Sequence, residues 1–127
     1  MKTILLIEDN LDILENLTEY LELEGYKILI ANNGKKGLEF ASEFMPDLIV
    51  CDVCMPEMDG YEVLNSLLTT AKTYEIPFIF STSMSEKVDR TEGLKLGADD
   101  YIIKPFDPED LLKMARTWIT SGSKRHA

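Results

Sequence analysis

Leu48-Ile49-Val50-Cys51-Asp52 is the stretch that decides the fold, because it joins a short apolar run to a carboxylate. We predict a strand over residues 47–51, since a continuous apolar run is typical of a parallel sheet with helices on both faces. Asp52 then stands at the carboxyl end of that strand, where open α/β sheets bind their ligands. Taken alone, Asp52 fits a turn before Pro56 equally well. The interpretation therefore depends on which other residues reach the same edge.

Length, composition and charge restrict the class of protein. The 127 residues suit one domain with a single substantial core. The chain carries 23 acidic and 13 basic residues, a net charge of -10, which argues against direct nucleic-acid binding. Its apolar runs are of strand length and the first strand begins almost at once, so we expect no membrane span and no secretory signal. A cytoplasmic protein with protein partners is the simplest interpretation.

Strands and helices are predicted to alternate along the whole chain. Four further apolar runs predict strands over residues 3–7, 26–30, 77–80 and 101–103. Apolar stripes at helical spacing predict five helices. The first ends at Gly25, the second lies between Asn33 and Pro46, and the third follows the loop 55–60. The fourth spans residues 86–96, and the fifth starts after a cap at Asp107. Five strands and five helices predict a flavodoxin-like, doubly wound α/β fold with parallel strands in the order 2-1-3-4-5. The domain is expected over residues 1–120, with a flexible polar tail over 121–127.

That strand order brings polar side chains to one edge of the sheet. Glu8 and Asp9 follow strand one and Asp52 follows strand three, which is its neighbour. Three carboxylates repel one another unless a hard cation such as Mg²⁺ binds between them. Strand four adds the hydroxyl of Thr82 and strand five adds the ammonium of Lys104. A cation, an ammonium and a hydroxyl around one carboxylate favour phosphoryl transfer to that carboxylate.

Several segments extend this set into a recognisable pattern. They are Ile7-Glu8-Asp9-Asn10, Asp52, Met55-Pro56-Glu57-Met58-Asp59-Gly60, Thr82, Gly97-Ala98-Asp99-Asp100-Tyr101 and Lys104-Pro105-Phe106. With these segments the chain resembles the receiver domain of two-component response regulators over residues 2–120. The spacings of 30 residues from Asp52 to Thr82 and 22 from Thr82 to Lys104 also match that family.

The resemblance implies a phosphoacceptor and a metal site. Asp52 would accept a phosphoryl group from a sensor histidine kinase or a phosphotransfer protein. Asp9 would be the direct Mg²⁺ ligand, with Asp52 and the backbone carbonyl of Cys54 as further ligands. Glu8 would be the acidic neighbour that acts through water.

The resemblance also implies how the signal leaves the site. Lys104 would pair with the phosphoryl oxygens, and Thr82 would bond one of them and draw its loop inward. Tyr101 would change rotamer in response, which shifts the population between two states. The face formed by the helix over residues 86–96, the fifth strand and the last helix would then bind an unknown protein target. Such a protein promotes its own phosphorylation without being an enzyme in the ordinary sense.

Four departures from the family pattern bear on assembly and signal lifetime. Glu109 and Met114 replace basic residues of the branch whose receivers dimerise ahead of DNA-binding domains. The intermolecular ion pairs of that branch are therefore not expected, which favours a monomer or a weak phosphorylation-dependent dimer. Because no output domain follows the tail, we expect a stand-alone regulator. The alternative is a receiver excised from a DNA-binding regulator or a hybrid kinase. Cys54 and Met84 occupy positions that flank the path of the attacking water, which predicts slow self-dephosphorylation.

Other classes of function fit the residues less well. A haloacid-dehalogenase-type phosphohydrolase needs a second acid two residues after its nucleophile, where this chain has Cys54. A thiol redox protein would use Cys51 with Cys54, but Cys51 lies within the predicted buried strand. Lys104 that simply neutralises the acids remains an alternative to its role in phosphoryl transfer. A ribose-hydroxyl or amine site also remains open, although no glycine-rich phosphate loop accompanies it.

Overall fold

The computed structural model describes residues 1–83 and 94–123. Five strands are found, and they are β1 (Thr3–Ile7), β2 (Lys27–Ala31), β3 (Leu48–Asp52), β4 (Phe78–Ser83) and β5 (Asp100–Lys104). The helices with full bounds are α1 (Leu11–Leu23), α2 (Gly34–Phe44), α3 (Gly60–Leu68) and the C-terminal helix (Pro108–Ser121). Residues 94–96 are also helical. The remainder of the helix predicted over residues 86–96 lies outside the described residues.

All strand pairs are parallel, and the order β2-β1-β3-β4-β5 confirms the predicted flavodoxin-like topology. Ile7 at the end of β1 pairs with Cys51 in β3, which places Glu8 and Asp52 side by side. Asp52 in turn pairs with Ser81 in β4. Lys104 on the edge strand β5 pairs with Ser83. The carboxyl ends of β1, β3, β4 and β5 therefore form one continuous edge.

The strands extend further into polar sequence than the apolar runs predicted. β3 includes Asp52, β4 continues to Ser83, and β5 continues to Lys104. The reason is that backbone hydrogen bonds between strands continue through polar residues as readily as through apolar ones. Asp52, Thr82 and Lys104 are thus held in the sheet itself and not in loops beyond it.

β3 is buried on both faces and separates two halves of the core. Leu48 and Val50 pack in the cluster that includes α1 and the C-terminal helix. Ile49 and Cys51 pack in the cluster on the opposite face, which includes α2 and α3. Successive side chains of a strand point to opposite faces of the sheet. The chain leaves the core where β3 ends. The position of Asp52 is therefore set by packing on both sides of the strand before it.

The start of α1 is fixed directly after β1. The Asn10 side chain accepts hydrogen bonds from the backbone N–H groups of Asp12 at 3.0 Å and Ile13 at 3.2 Å. An N-cap of this kind satisfies donors that the first helical turn leaves free. Because Asn10 is anchored in this way, the preceding Glu8 and Asp9 lie between a sheet strand and a capped helix.

The last described residues belong to the segment 121–127 that we predict as a flexible polar tail, and that prediction stays untested. Ser121 is the last residue of the C-terminal helix, and Ser123 is buried. Residues 124–127 fall outside the described residues. Within the described part of the chain, no helix is both long and apolar enough to cross a membrane.

We predict that Gly60→Ala lowers the free energy of unfolding by about 2 kcal/mol, in the range typical of overpacking. A Cβ at Gly60 would lie 2.4 Å from the carbonyl oxygen of Asp52 and 3.0 Å from the Cα of Val53, which are rigid backbone atoms. This clash outweighs the better helix propensity of alanine. Denaturant unfolding monitored by circular dichroism measures the loss.

Gly37→Ala is the matched control. Its Cβ would lie 2.5 Å from Cδ1 and 2.9 Å from Cγ1 of Ile7, which are side-chain atoms and shift more readily than the backbone that Gly60 contacts. A smaller loss is expected there. If the two variants are equally stable, the close approach of Gly60 to the strand that ends in Asp52 is not a constraint on the fold.

Candidate functional site

Four charged side chains meet at the carboxyl edge of the sheet. One carboxylate oxygen from each of Glu8, Asp9 and Asp52 lies within 4.8 Å of the other two. The Lys104 Nζ donates a hydrogen bond to Oε1 of Glu8 at 2.6 Å and lies 3.1 Å from Oδ1 of Asp52. Glu8 and Asp52 are buried, whereas Asp9 is exposed. The structure thus brings together the four residues that the predicted strand order placed at one edge.

The electrostatics of this cluster favour an additional cation. Burial and the negative charge of Glu8 raise the pKa of Asp52 from 3.8 to about 6, although Lys104 opposes the shift. Burial lowers the pKa of Lys104, but its hydrogen bond to Glu8 and the charge of Asp52 outweigh burial and raise it overall. One ammonium leaves the three carboxylates with an excess of negative charge. Carboxylate oxygens at this separation are the ligands that Mg²⁺ prefers.

The two predicted switch residues lie on β4 and β5, the next two strands of the sheet after β3. Thr82 is the residue after Ser81, the β4 partner of Asp52, and is only 1% exposed. Tyr101 pairs with Phe80 and packs, partly buried, against the core cluster on the α3 face. Both residues are therefore connected to Asp52 through the β3–β4–β5 part of the sheet.

The two cysteines have different environments, and neither forms a disulfide. Cys51 is fully buried, and burial followed by the charge of Asp52 raises the pKa of its thiol well above the usual value. A thiol held protonated is a poor nucleophile, which argues against the redox alternative. Cys54 is exposed and lines a groove of about 520 Å³. The other residues that line this groove are Val53, Met55, Pro56, Asp59 and Tyr61.

Sequence reasoning missed two features of the site. The contact between Lys104 and Glu8 is shorter than the one between Lys104 and Asp52, although Lys104 was predicted to serve the phosphoryl group. Gly60 packs on the backbone of Asp52, and its N–H donates to the carbonyl of Val53 at 2.8 Å. The second feature had a sequence signal, because Asp59 and Glu62 form a capping box that starts α3 at Gly60.

The fold is a doubly wound parallel sheet whose carboxyl edge brings the buried acids Glu8 and Asp52 together with the exposed Asp9. The family model described as the response regulator receiver domain matches residues 4–116. The probable transcriptional regulator ycf27 of Porphyra purpurea is 37% identical over 121 residues, which cover 95% of this chain and 49% of the relative.

Solved structures show the same relationship. The receiver domain of a signal transduction histidine kinase from Syntrophus aciditrophicus matches with a TM-score of 0.88 at 35% identity, covering 100% of this chain and 96% of that one. The receiver domain of the sensor histidine kinase PA1611 from Pseudomonas aeruginosa, solved with a magnesium ion in its active-site cleft, matches with a TM-score of 0.83 at 28% identity. That match covers 94% of this chain and 98% of the other.

This chain belongs to the response regulator receiver domain family, a signalling domain of two-component systems. The family interacts with histidine kinases or phosphotransfer proteins and generally binds Mg²⁺ at an acidic pocket. The chain spans about half the length of the curated relatives that it matches.

We predict that Asp52→Asn stabilises the fold at neutral pH without Mg²⁺. The pKa of Asp52 is raised from 3.8 to about 6, so the folded chain binds this proton more tightly than the unfolded chain. The wild type therefore loses stability as pH rises through that interval, whereas the variant has no such group to titrate. We expect a gain of about 1–2 kcal/mol at pH 7 after allowing for solvent screening at the sheet edge.

Chemical unfolding in EDTA at several pH values measures this difference. The gap between the two proteins should close as pH falls below the lower end of the interval. A variant that is less stable than the wild type at neutral pH would show that Asp52 is well stabilised in its ionised form.

Proposed function

We propose that this chain is a phosphorylation-controlled switch in which Asp52 accepts a phosphoryl group in an Mg²⁺-dependent reaction. The observation that carries the proposal is the environment of Asp52, a buried carboxylate 3.1 Å from an ammonium and within 4.8 Å of two further acids. The phosphodonor would be a phosphohistidine on a sensor histidine kinase or a phosphotransfer protein.

The transfer is a displacement at phosphorus. An oxygen of Asp52 forms the new bond to phosphorus while the bond between phosphorus and the donor nitrogen breaks, and the electron pair leaves with that nitrogen. With a pKa of about 6, Asp52 is mostly ionised at neutral pH, and the carboxylate is a better nucleophile than the protonated acid. Lys104 already lies 3.1 Å from Asp52 and can bind an oxygen of the incoming group. Thr82 supplies a hydroxyl from the neighbouring strand.

Bound Mg²⁺ supplies charge neutralisation and orientation of the phosphoryl oxygens. Asp9, Asp52 and the backbone carbonyl of Cys54 are the groups we assign to hold it, with Glu8 beside them. The acidic cluster supports this assignment, since it gathers three carboxylates of which only Glu8 and Asp52 pair with the ammonium of Lys104. The related PA1611 receiver domain was solved with magnesium in its cleft.

The output surface of the switch would be the face formed by the helix over residues 86–96, β5 and the C-terminal helix. Most of that helix lies outside the described residues. The other two elements are coupled, because Nε1 of Trp118 donates a hydrogen bond to Oδ2 of Asp100 at 3.0 Å. A change at Tyr101, next to Asp100, can therefore reach the C-terminal helix. We propose that a cytoplasmic protein target, and not nucleic acid, binds this face of a monomer or weak dimer.

A second arrangement is favoured by the relatives themselves. The chain covers 49% of a probable transcriptional regulator, and a structural neighbour is the receiver domain of a histidine kinase. The same switch would then control a DNA-binding or kinase segment in place of a separate target. The phosphohydrolase alternative has less support, because the residue two positions after Asp52 is the exposed Cys54.

We predict that acetyl phosphate with Mg²⁺ adds one phosphoryl group to the wild type and none to Asp52→Asn. Intact-protein mass spectrometry reads the labelling, and EDTA should abolish it. Asp12→Asn is the control, because this exposed acid lies in the first turn of α1 and outside the cluster. Equal labelling of Asp52→Asn and the wild type would defeat the proposal, and sustained release of phosphate over many turnovers would favour the hydrolase.

A further inference from the structure

We propose that Glu8 is a positioning residue that holds the Lys104 ammonium beside Asp52 and is not itself a ligand of the bound cation. This inference rests on the proposed function of Asp52, and it changes the role that the sequence suggested for Glu8. The acidic cluster is thereby divided into a residue that fixes the lysine and residues that bind the metal.

Both carboxylate oxygens of Glu8 are already engaged by protein donors. Oε1 accepts the hydrogen bond from Lys104 Nζ at 2.6 Å, and Oε2 accepts one from the backbone N–H of Asn10 at 3.2 Å. The Glu8 side chain is 8% exposed. Charge-assisted hydrogen bonds are about twice as strong as neutral ones, so turning Glu8 toward a cation would sacrifice the strongest contact that it makes.

The length of the glutamate side chain is needed for this contact. Glu8 follows β1 and Lys104 ends β5, and β3 and β4 lie between these strands. Three strand spacings amount to roughly 14 Å, so only two long side chains meet across them. An aspartate at position 8 would be shorter by one methylene, about 1.5 Å of reach, and its oxygen would fall outside hydrogen-bond distance of Lys104.

Asp9 offers the contrast. Within residues 1–83 and 94–123, no hydrogen bond or ion pair engages its carboxylate, and the residue is exposed. Its oxygen nevertheless lies within 4.8 Å of those of Glu8 and Asp52. Asp9 can therefore turn toward a cation without giving up an existing contact, whereas turning Glu8 would break its hydrogen bonds to Lys104 and Asn10.

As a consequence, the ammonium of Lys104 is in position before a phosphodonor binds. Glu8 ties Lys104 to Asn10, which is itself the cap of α1. Lys104 is thus held on a rigid element of the fold at 3.1 Å from the acceptor oxygen of Asp52. Preorganised cations of this kind stabilise developing charge without having to rearrange during the reaction.

The test follows the Lys104 ammonium by ¹H–¹⁵N NMR of its Nζ group, with and without saturating Mg²⁺. In the wild type the signal should be protected from solvent exchange and should remain so when Mg²⁺ is added. Glu8→Asp keeps the charge but loses the reach, so it should lose this protection, whereas Glu8→Gln keeps the reach and an acceptor oxygen and should retain part of it. Glu15→Gln, which removes an exposed charge from α1, should leave the signal unchanged.

Mg²⁺ affinity supplies the second measurement. Glu8→Gln and Asp9→Asn each remove one negative charge from the cluster, so their difference reports direct ligation. We expect Asp9→Asn to bind Mg²⁺ about tenfold or more weakly than Glu8→Gln, and Glu8→Asp to stay within about threefold of the wild type, since the charge is kept.

Three results would overturn the inference. They are a Lys104 signal that Mg²⁺ releases, a protected signal in Glu8→Asp, and equal losses of Mg²⁺ affinity in Glu8→Gln and Asp9→Asn. Labelling of the wild type by acetyl phosphate is measured in parallel. If labelling fails while the Lys104 and Mg²⁺ results are as expected, the proposed function is wrong and the positioning role of Glu8 stands.

Discussion

The structure of the site depends on one interaction, the ammonium of Lys104 set between the carboxylates of Glu8 and Asp52. The strand order puts β1 next to β3 and so forces their terminal acids together. Within the described part of the chain, the ammonium of Lys104 on the edge strand β5 offsets the repulsion between these acids. An ion pair formed across four strand ends also holds the working edge of the sheet in one geometry.

This arrangement exchanges stability for readiness to react. A carboxylate that is buried and repelled by a neighbour is worse stabilised than one in water. Burial and the repulsion from Glu8 have this effect on Asp52 and raise its pKa. A bound cation, or a phosphoryl group on Asp52, would reduce this destabilisation. Sites that are strained in the absence of their ligands are common where function and not stability sets the sequence.

Much of this could be predicted from the sequence, because the apolar runs of β1 and β3 are unambiguous and their order follows from the topology of doubly wound sheets. Strand ends were misplaced where polar residues such as Asp52 and Lys104 continue the backbone ladder. The sequence placed Glu8 and Lys104 at the same edge, but it could not predict that Lys104 lies closer to Glu8 than to Asp52. Which acid a long lysine reaches depends on side-chain lengths and rotamers that no local pattern encodes.

¹⁹F NMR with beryllofluoride, which mimics a phosphoryl group on a carboxylate, tests the central claim most directly. The account predicts bound ¹⁹F resonances in the wild type that require Mg²⁺, disappear in EDTA and are absent from Asp52→Asn. It also predicts that Lys104→Met weakens or shifts these resonances, because the ammonium contacts the mimic. Bound resonances of equal intensity in Asp52→Asn, or in the wild type without Mg²⁺, would contradict the assignment of Asp52 as the acceptor at a metal-dependent site.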